Sequence, residues 1–398
     1  MTLVPDNSFS KHPGARRWLR IIDRNLCWSG VFLITDSRYR TCRSESGNQV
    51  DMKILLKLKS KLSQSGTFIS KKLILTVADN DGVPLFPLDL ALRKDRFRES
   101  ELMKLINKLS AQLTGLGGVL GSTIAFTLKQ PERRKIIARV NTHGKKLAAV
   151  SKNSSISLLP SWSPKGNSIV YTTLSRRGTA IIYNDLKDRP VKLLRSSTSA
   201  TSMAKNYLSV SGGTWYSNGR KLVVTLSRKG NSDLYSFDRQ KRKVTRLTTH
   251  RAIDTVPDLS PDDQHLIFVS DRSGHEQIFY LKLGTKIPFQ LTFGRGSSSD
   301  PVWSPDGTLI AFSKISSGHS QIHLMDPFTG EDHTLTRGRY NSEQPAWSPD
   351  GRQIAFVSSS TGVDKLYIMF VDGSGRRRLT RTPKEFEEGA PTWTARKF

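Results

Sequence analysis

Cysteine is scarce: the chain has two, Cys27 and Cys42, among 398 residues. That excludes a disulfide framework, and their spacing fits no structural metal site. Two unpaired thiols are expected, with a single bridge as the other arrangement. Long apolar runs are also missing, since no stretch approaches the roughly 20 residues needed to cross a bilayer. The opening MTLVPDNSFSKHPG is polar and lacks the apolar core of a secretory leader. Arg16 and Arg17 precede an amphipathic helical pattern, which is not how a twin-arginine leader continues. The expectation is either a cytoplasmic protein or a leader upstream of Met1.

Acidic residues are in short supply, with 34 Asp and Glu against 62 Lys and Arg, a formal net charge of +28. Such a field attracts polyanions: nucleic acid, anionic lipid headgroups, anionic polymers or an acidic protein. The charges are scattered, and no basic helix or aromatic-studded basic strand set reads bases, so specific nucleic-acid binding is not expected. There is no Gly-x-Ser-x-Gly elbow and no spare segment of hydrolase size, so an enzyme is not expected either. His319 and His323 are four apart, but their segment runs from a turn into a strand. They read as solvated strand histidines and not as zinc ligands. Asp79-Asn-Asp-Gly82 lacks the closing acid of a calcium loop and reads as a hairpin turn. No catalytic residue, cofactor or metal is expected.

What the chain does have is a repeat. Trp303-Ser-Pro-Asp-Gly307 and Trp347-Ser-Pro-Asp-Gly351 are 44 residues apart, and Leu259-Ser-Pro-Asp-Asp263 lies another 44 upstream. Trp162-Ser-Pro-Lys-Gly166 and Trp215-Tyr-Ser-Asn-Gly219 precede these, and Trp393 closes the series. After the mark at 303 come Leu309-Ile-Ala-Phe-Ser313, a turn at Gly318, the alternating Gln321-Ile-His-Leu-Met325 and His333-Thr-Leu-Thr336; the copy at 347 matches it. Each unit reads as four short strands joined by glycine turns, the pattern of a propeller blade. The Trp is expected to pack between blades, and Pro-Asp-Gly to turn the chain. Only five residues follow Trp393, so its blade must borrow strands from Ser122-Thr-Ile-Ala-Phe-Thr127, Ile136–Val140 and Lys145–Ala149. The fold class is a six-bladed β-propeller, its last blade closed by N- and C-terminal strands, behind a small α/β domain. The expected boundaries are a flexible extension over 1–15, the α/β domain over 16–118 and the propeller over 119–398.

In that first domain Trp18, Ile21, Ile22 and Leu26 have helical spacing, and Val31–Ile34 reads as a strand. Leu102, Leu105, Ile106, Leu109 and Leu113 mark a second helix that stops at Thr114-Gly115. Met52–Leu58, Phe68–Val77 and Leu85–Leu90 read as strands, and Pro84 and Pro87 place the last at an edge.

The marks with their I-A-F-x-S strands and L-T blade ends, the hairpin LTVADNDGVPLF, the helix ESELMKLINKLSAQLTGLGG and the junction GSTIAFTL together resemble the TolB family, over roughly residues 16–398. TolB is the periplasmic propeller component of the Tol-Pal cell-envelope system. The resemblance implies a monomeric, non-enzymatic scaffold in the periplasm that binds the lipoprotein Pal at one propeller face. It also implies a possible TolA contact through the N-terminal segment, membrane association only through partners, and support of outer-membrane integrity and invagination during division. The chain departs from the pattern in its polar start and in Leu259, where the mark has Trp.

Acidic or polar residues recur just before a proline at the entrance to the marks: Asp254-Thr-Val-Pro257, Asp300-Pro301, Glu343-Gln-Pro345 and Glu387-Glu-Gly-Ala-Pro391. Ring symmetry brings these loops to one face. Asp254, Thr255, Ser299, Asp300, Tyr340, Asn341, Glu343, Glu387 and Glu388 are the expected partner contacts, and otherwise they cap turns. Other functions open to the sequence are a basic propeller binding polyanionic or carbohydrate ligands, and a propeller accessory to a peptidase.

Overall fold

The structure is a computed structural model that describes residues 2–5, 15–29, 53–62, 68–78, 84–92, 99–132, 134–152, 155–176, 178–187, 189–196 and 208–394. The chain divides into two compact units, 1–121 and 122–397.

In the first unit the helix Ala15–Trp28 buries Trp18, Ile22 and Leu26 along one stripe, as the spacing predicts. Cys27 on the same helix is disulfide-bonded, which corrects the expectation of an unpaired thiol. The helix Glu99–Thr114 carries Glu99 and Glu101 in its first turn, where carboxylates favour the helix dipole. It ends at Gly115, whose φ of 71° suits a residue without Cβ. Buried Asn107 donates from Nδ2 to the Leu120 carbonyl and accepts from the Leu120 N–H through Oδ1. A Cβ at Gly118 would lie 2.3 Å from Asn107 Oδ1, so only glycine fits there.

The sheet of this unit runs Thr2–Pro5, Lys53–Leu62, Phe68–Ala78, Pro84–Leu92. The proline-bearing strand is at the edge, where its missing N–H costs no ladder bond. Thr2–Pro5, expected inside a flexible extension, instead pairs in parallel with Lys53–Leu56. The open edge of Lys53–Leu62 offers its backbone groups to whichever extended segment is near. The strand expected at 31–34 and the turn at 79–82 lie outside the described residues.

The second unit holds six four-stranded antiparallel sheets. In chain order their innermost strands are Ile156–Trp162, Ser209–Trp215, Asp254–Leu259, Ser298–Trp303, Ser342–Trp347 and Glu387–Trp393. The sixth blade is closed as the repeat requires: Glu387–Trp393 pairs with Thr123–Lys129, followed by Lys135–Asn141 and Ala148–Ala149. Trp393 Nε1 also donates to Ser122 Oγ at 2.6 Å, joining the two ends of the ring.

The core lies between blades and follows the marks. Trp215 packs with Val170 and Ile181 of the first blade, and Trp347 with Ala311 and Ile322 of the fourth. Their indole N–H groups donate to the Ser161 and Val302 carbonyls of the preceding innermost strands. The Ser-Pro-Asp-Gly turn closes on itself. Ser304 Oγ donates to Asp306 and accepts from the Leu309 N–H, and Ser348 does the same with Asp350 and Gln353. Where the third copy has Asp263 for glycine, the residue keeps a φ of 59°, a conformation Asp tolerates. The Leu-Thr blade ends have a similar cause, because Thr248, Thr292 and Thr336 are buried and their hydroxyls accept from the N–H groups of Leu234, Ile278 and Ile322. Each satisfies a strand N–H that would otherwise be orphaned.

Candidate functional site

Strand direction alternates within a blade, so two kinds of connection share each end of the ring. The marks and the turns between third and fourth strands lie on one face. The loops that enter each blade and the turns between second and third strands lie on the other, here named the entry face.

At the entry face every innermost strand breaks register at one place, between Leu158 and Ser161, Ser211 and Thr214, Thr255 and Asp258, Ser299 and Val302, Glu343 and Ala346, and Gly389 and Thr392. The extra residue is left-handed each time: Leu159, Gly212, Val256, Asp300, Gln344 and Ala390. Five of the six precede a proline. A left-handed residue costs about 1–2 kcal/mol when it carries a Cβ, and Asp bears this better than Val or Leu. Backbone conformation therefore accounts for Asp300 in part.

The nine expected contacts separate into three groups. Asp254 and Glu388 are buried and structural. Asp254 takes two hydrogen bonds from Arg272 Nη2, at 2.8 and 2.9 Å, and the guanidinium stacks over Phe268 and Phe279. Glu388 accepts from the Leu366 N–H at 2.7 Å and from the hydroxyls of Thr380 and Thr382. Beside it, fully buried Lys365 donates to Thr382 Oγ1, the Pro383 carbonyl and the Phe386 carbonyl at 2.9, 2.7 and 2.6 Å. Desolvation holds the Lys365 amine below its ordinary pKa. These two acids are withdrawn from docking because an unpaired buried charge is too costly to leave.

The second group shapes the loops. Thr255 is half-buried beside the bulge at Val256, and Ser299 Oγ donates to Asp300 at 3.0 Å. Tyr340 OH donates to the Arg337 carbonyl and accepts from Arg376, which also lies 4.8 Å from the Tyr340 ring. Exposed Asn341 accepts from the Ser320 N–H.

The third group is an arc. Half-buried Asp300, Glu343 and Glu387 come together with Glu276 and Asp364, which stand in the second-to-third strand turns of the third and fifth blades. Asp300 is raised by desolvation and by the charge of Glu276, against hydrogen bonds from Ser299 and Ser313. Glu343 is raised by desolvation, then by Asp300 and Asp364. Asp364 is raised by desolvation, then by Glu387, whose ion pair with Lys129 is 2.6 Å long. Carboxylates on four consecutive blades thus crowd one another's charge. Glu276 and Asp364 were missed because they follow the turn glycines, as Gly274-His-Glu276 and Gly362-Val-Asp364; aligning those turns would have found them.

Asp258 was missed as well. It accepts from Thr214 Oγ1 and from the Trp303 N–H, both at 2.8 Å, so one carboxylate bridges three blades. Burial pushes its pKa up to about 6 despite these bonds. One of the two histidines corrects an expectation. His323 is buried, not solvated, between Asp332 at 3.2 Å and Thr334 Oγ1 at 3.2 Å, and burial lowers its pKa while Asp332 opposes the shift. Among the described residues, no group of three or more His, Cys, Asp or Glu is arranged to hold a metal ion.

The model of the TolB beta propeller domain matches residues 111–397, most of the chain. The chain belongs to the TolB β-propeller family. It is 34% identical over 175 residues to a TolB homolog of Chlorobium luteolum, covering 44% of this chain and 37% of that one. It is 29% identical over 138 residues to a Tol-Pal system protein TolB of Helicobacter pylori, covering 34% and 31%. These alignments span about a third of each curated relative. In fold, the crystal structure of TolB from Acinetobacter baumannii matches 99% of the chain and 96% of its own with a TM-score of 0.75 at 23% identity.

Proposed function

We propose that the chain is a non-enzymatic scaffold of the Tol-Pal cell-envelope system, working in the periplasm and docking a Pal-like lipoprotein on the entry face. The observation that carries this reading is the arc of Glu276, Asp300, Glu343, Asp364 and Glu387, which spans four blades at one face of a strongly basic chain. Crowded carboxylates gain most from a partner that brings cations or donors, since it relieves repulsion already present. Family membership and the names of the relatives favour a Tol-Pal role. No described helix is long and apolar enough to cross a membrane. Support of outer-membrane integrity and of invagination during division, and a TolA contact through the N-terminal segment, belong to the same reading.

The test is calorimetric titration of the delipidated lipoprotein into the full chain. Asp300→Ala with Glu343→Ala should weaken binding by at least roughly tenfold while the melting temperature stays close to that of the parent. Unchanged affinity would overturn the entry face as the docking surface.

A further inference from the structure

The opposite face carries a second surface. Charge is unevenly shared around the ring: residues 156–195 hold seven Lys and Arg against two acids and residues 208–247 hold nine against two, whereas residues 254–290 hold three against six and 298–334 one against five. Part of the excess lies at and beside the turns between third and fourth strands. In the sixth, first and second blades these are residues 142–147, 185–190 and 239–242, with seven basic residues and two acids, and Lys192 and Lys243 stand at the start of the strands that follow. The same turns of the next three blades, 283–288, 326–331 and 371–376, hold two basic residues and three acids.

The three basic turns form one surface. Asn184, where the first-blade turn begins, donates to the Val150 carbonyl of the sixth blade at 3.2 Å. Arg239 of the second blade lies 4.2 Å from the ring centre of Tyr183 in the first and donates to the Gly219 carbonyl. Lys145, Lys146, Lys187, Arg189, Lys192, Lys241, Arg242 and Lys243 are all exposed. Asp238, the acid nearest the second turn, is occupied by the N–H groups of Gln240 and Lys241 and by Arg220. Two aliphatic side chains stand among the cations with about half their surface in water, Leu147 at 49% and Val191 at 55%.

We propose that these turns form a contact site for the anionic headgroups of a lipid bilayer. The exposed cations are spread over three neighbouring blades, an extended area that suits a flat charged surface. Clustered Lys and Arg gain from an anionic leaflet within a Debye length, and the two aliphatics reach the headgroup boundary between them. The site does not depend on the entry face, and the contact is direct, beyond what partners supply.

Sedimentation of the full chain with vesicles tests it. Vesicles of phosphatidylglycerol and phosphatidylcholine should carry the protein down at low ionic strength, and pure phosphatidylcholine should not. Lys241→Glu, Arg242→Glu and Lys243→Glu together should lower partitioning by more than about tenfold. Arg337→Glu with Arg339→Glu, on the entry face, should change it by less than about twofold. Because the triple variant sits on a turn, a parent-like circular-dichroism melt certifies its fold, and Lys187→Gln with Lys192→Gln gives an independent reading. Equal loss from both faces, no binding to anionic vesicles, or binding to soluble polyphosphate in place of vesicles would overturn the proposal.

Discussion

The two faces of the propeller are made by the same strands and differ in what each blade contributes. On the entry face a register break recurs in all six innermost strands, and carboxylates gather on the third to sixth blades. On the marked face the Ser-Pro-Asp-Gly turns recur, and cations gather on the sixth, first and second. The repeat therefore fixes geometry at every sixth of the ring, while chemistry is placed blade by blade. Repetition identifies architecture, and departures from it identify the surfaces that recognise something.

The largest disruption removes both faces together. Deleting residues 387–398 takes away the strand that closes the ring, with its ladder to Thr123–Lys129 and the Trp393–Ser122 bond, and exposes an unpaired blade edge. Calorimetry should show the propeller transition lowered by more than about 10 °C or lost, given that a destabilisation of a few kcal/mol already moves a domain of this size several degrees. A melt equal to that of the intact chain would show that closure is not what stabilises the ring.

Next come the acids of the entry face that do not serve docking. Glu388→Ala leaves Lys365 buried without its counter-charge, and Asp254→Ala does the same to Arg272. Each should cost about 3–5 kcal/mol in urea unfolding. Asp300→Ala and Glu343→Ala should cost less than about 1 kcal/mol by the same measurement. If all four behaved alike, the division into structural and docking carboxylates would be wrong.

Asp258 gives a smaller effect with a definite sign. Its folded pKa of about 6 lies above the unfolded value near 3.8, so between those pH values the folded state holds the proton more tightly and this group's contribution to stability falls as pH rises. Asp258→Asn keeps both bridges, since the amide can donate to Thr214 and accept from the Trp303 N–H. It should remove that slope between about pH 4 and 6 and raise stability at pH 7 by about 1–3 kcal/mol. A slope unchanged in the variant would assign it elsewhere.

Smallest of all is the relief of strain at the bulges. Val256→Gly places at φ 48° the residue best suited to it, and unfolding should show a gain of no more than about 1 kcal/mol. A clear loss would mean that the exposed Val256 side chain packs more than its bulge costs.

Much of the fold was legible because it repeats. The period, the glycine turns and the lone Trp393 were enough to place the closing strand, and helical spacing of apolar residues placed both helices. The disulfide of Cys27 was not legible, because a single pair of cysteines carries no framework pattern and favoured the reading of unpaired thiols. The N-terminal strand was not legible either, because four residues hold no periodicity. Within the candidate site, the prolines led to the correct loops and to Asp300 and Glu343. They led equally to Asp254 and Glu388, since nothing local tells a carboxylate that faces water from one that meets Arg272 or the hydroxyls of Thr380 and Thr382.

The sequence by itself determined the blade, its count and its closure, because period-two alternation and turn residues act over a few positions and are written in order along the chain. Tertiary structure alone decided which charges are neutralised and which are displayed. The partners of Asp254, Asp258 and Glu388 lie 6 to 45 residues away, and burial, which sets the value of every charge, exists only once the ring has closed.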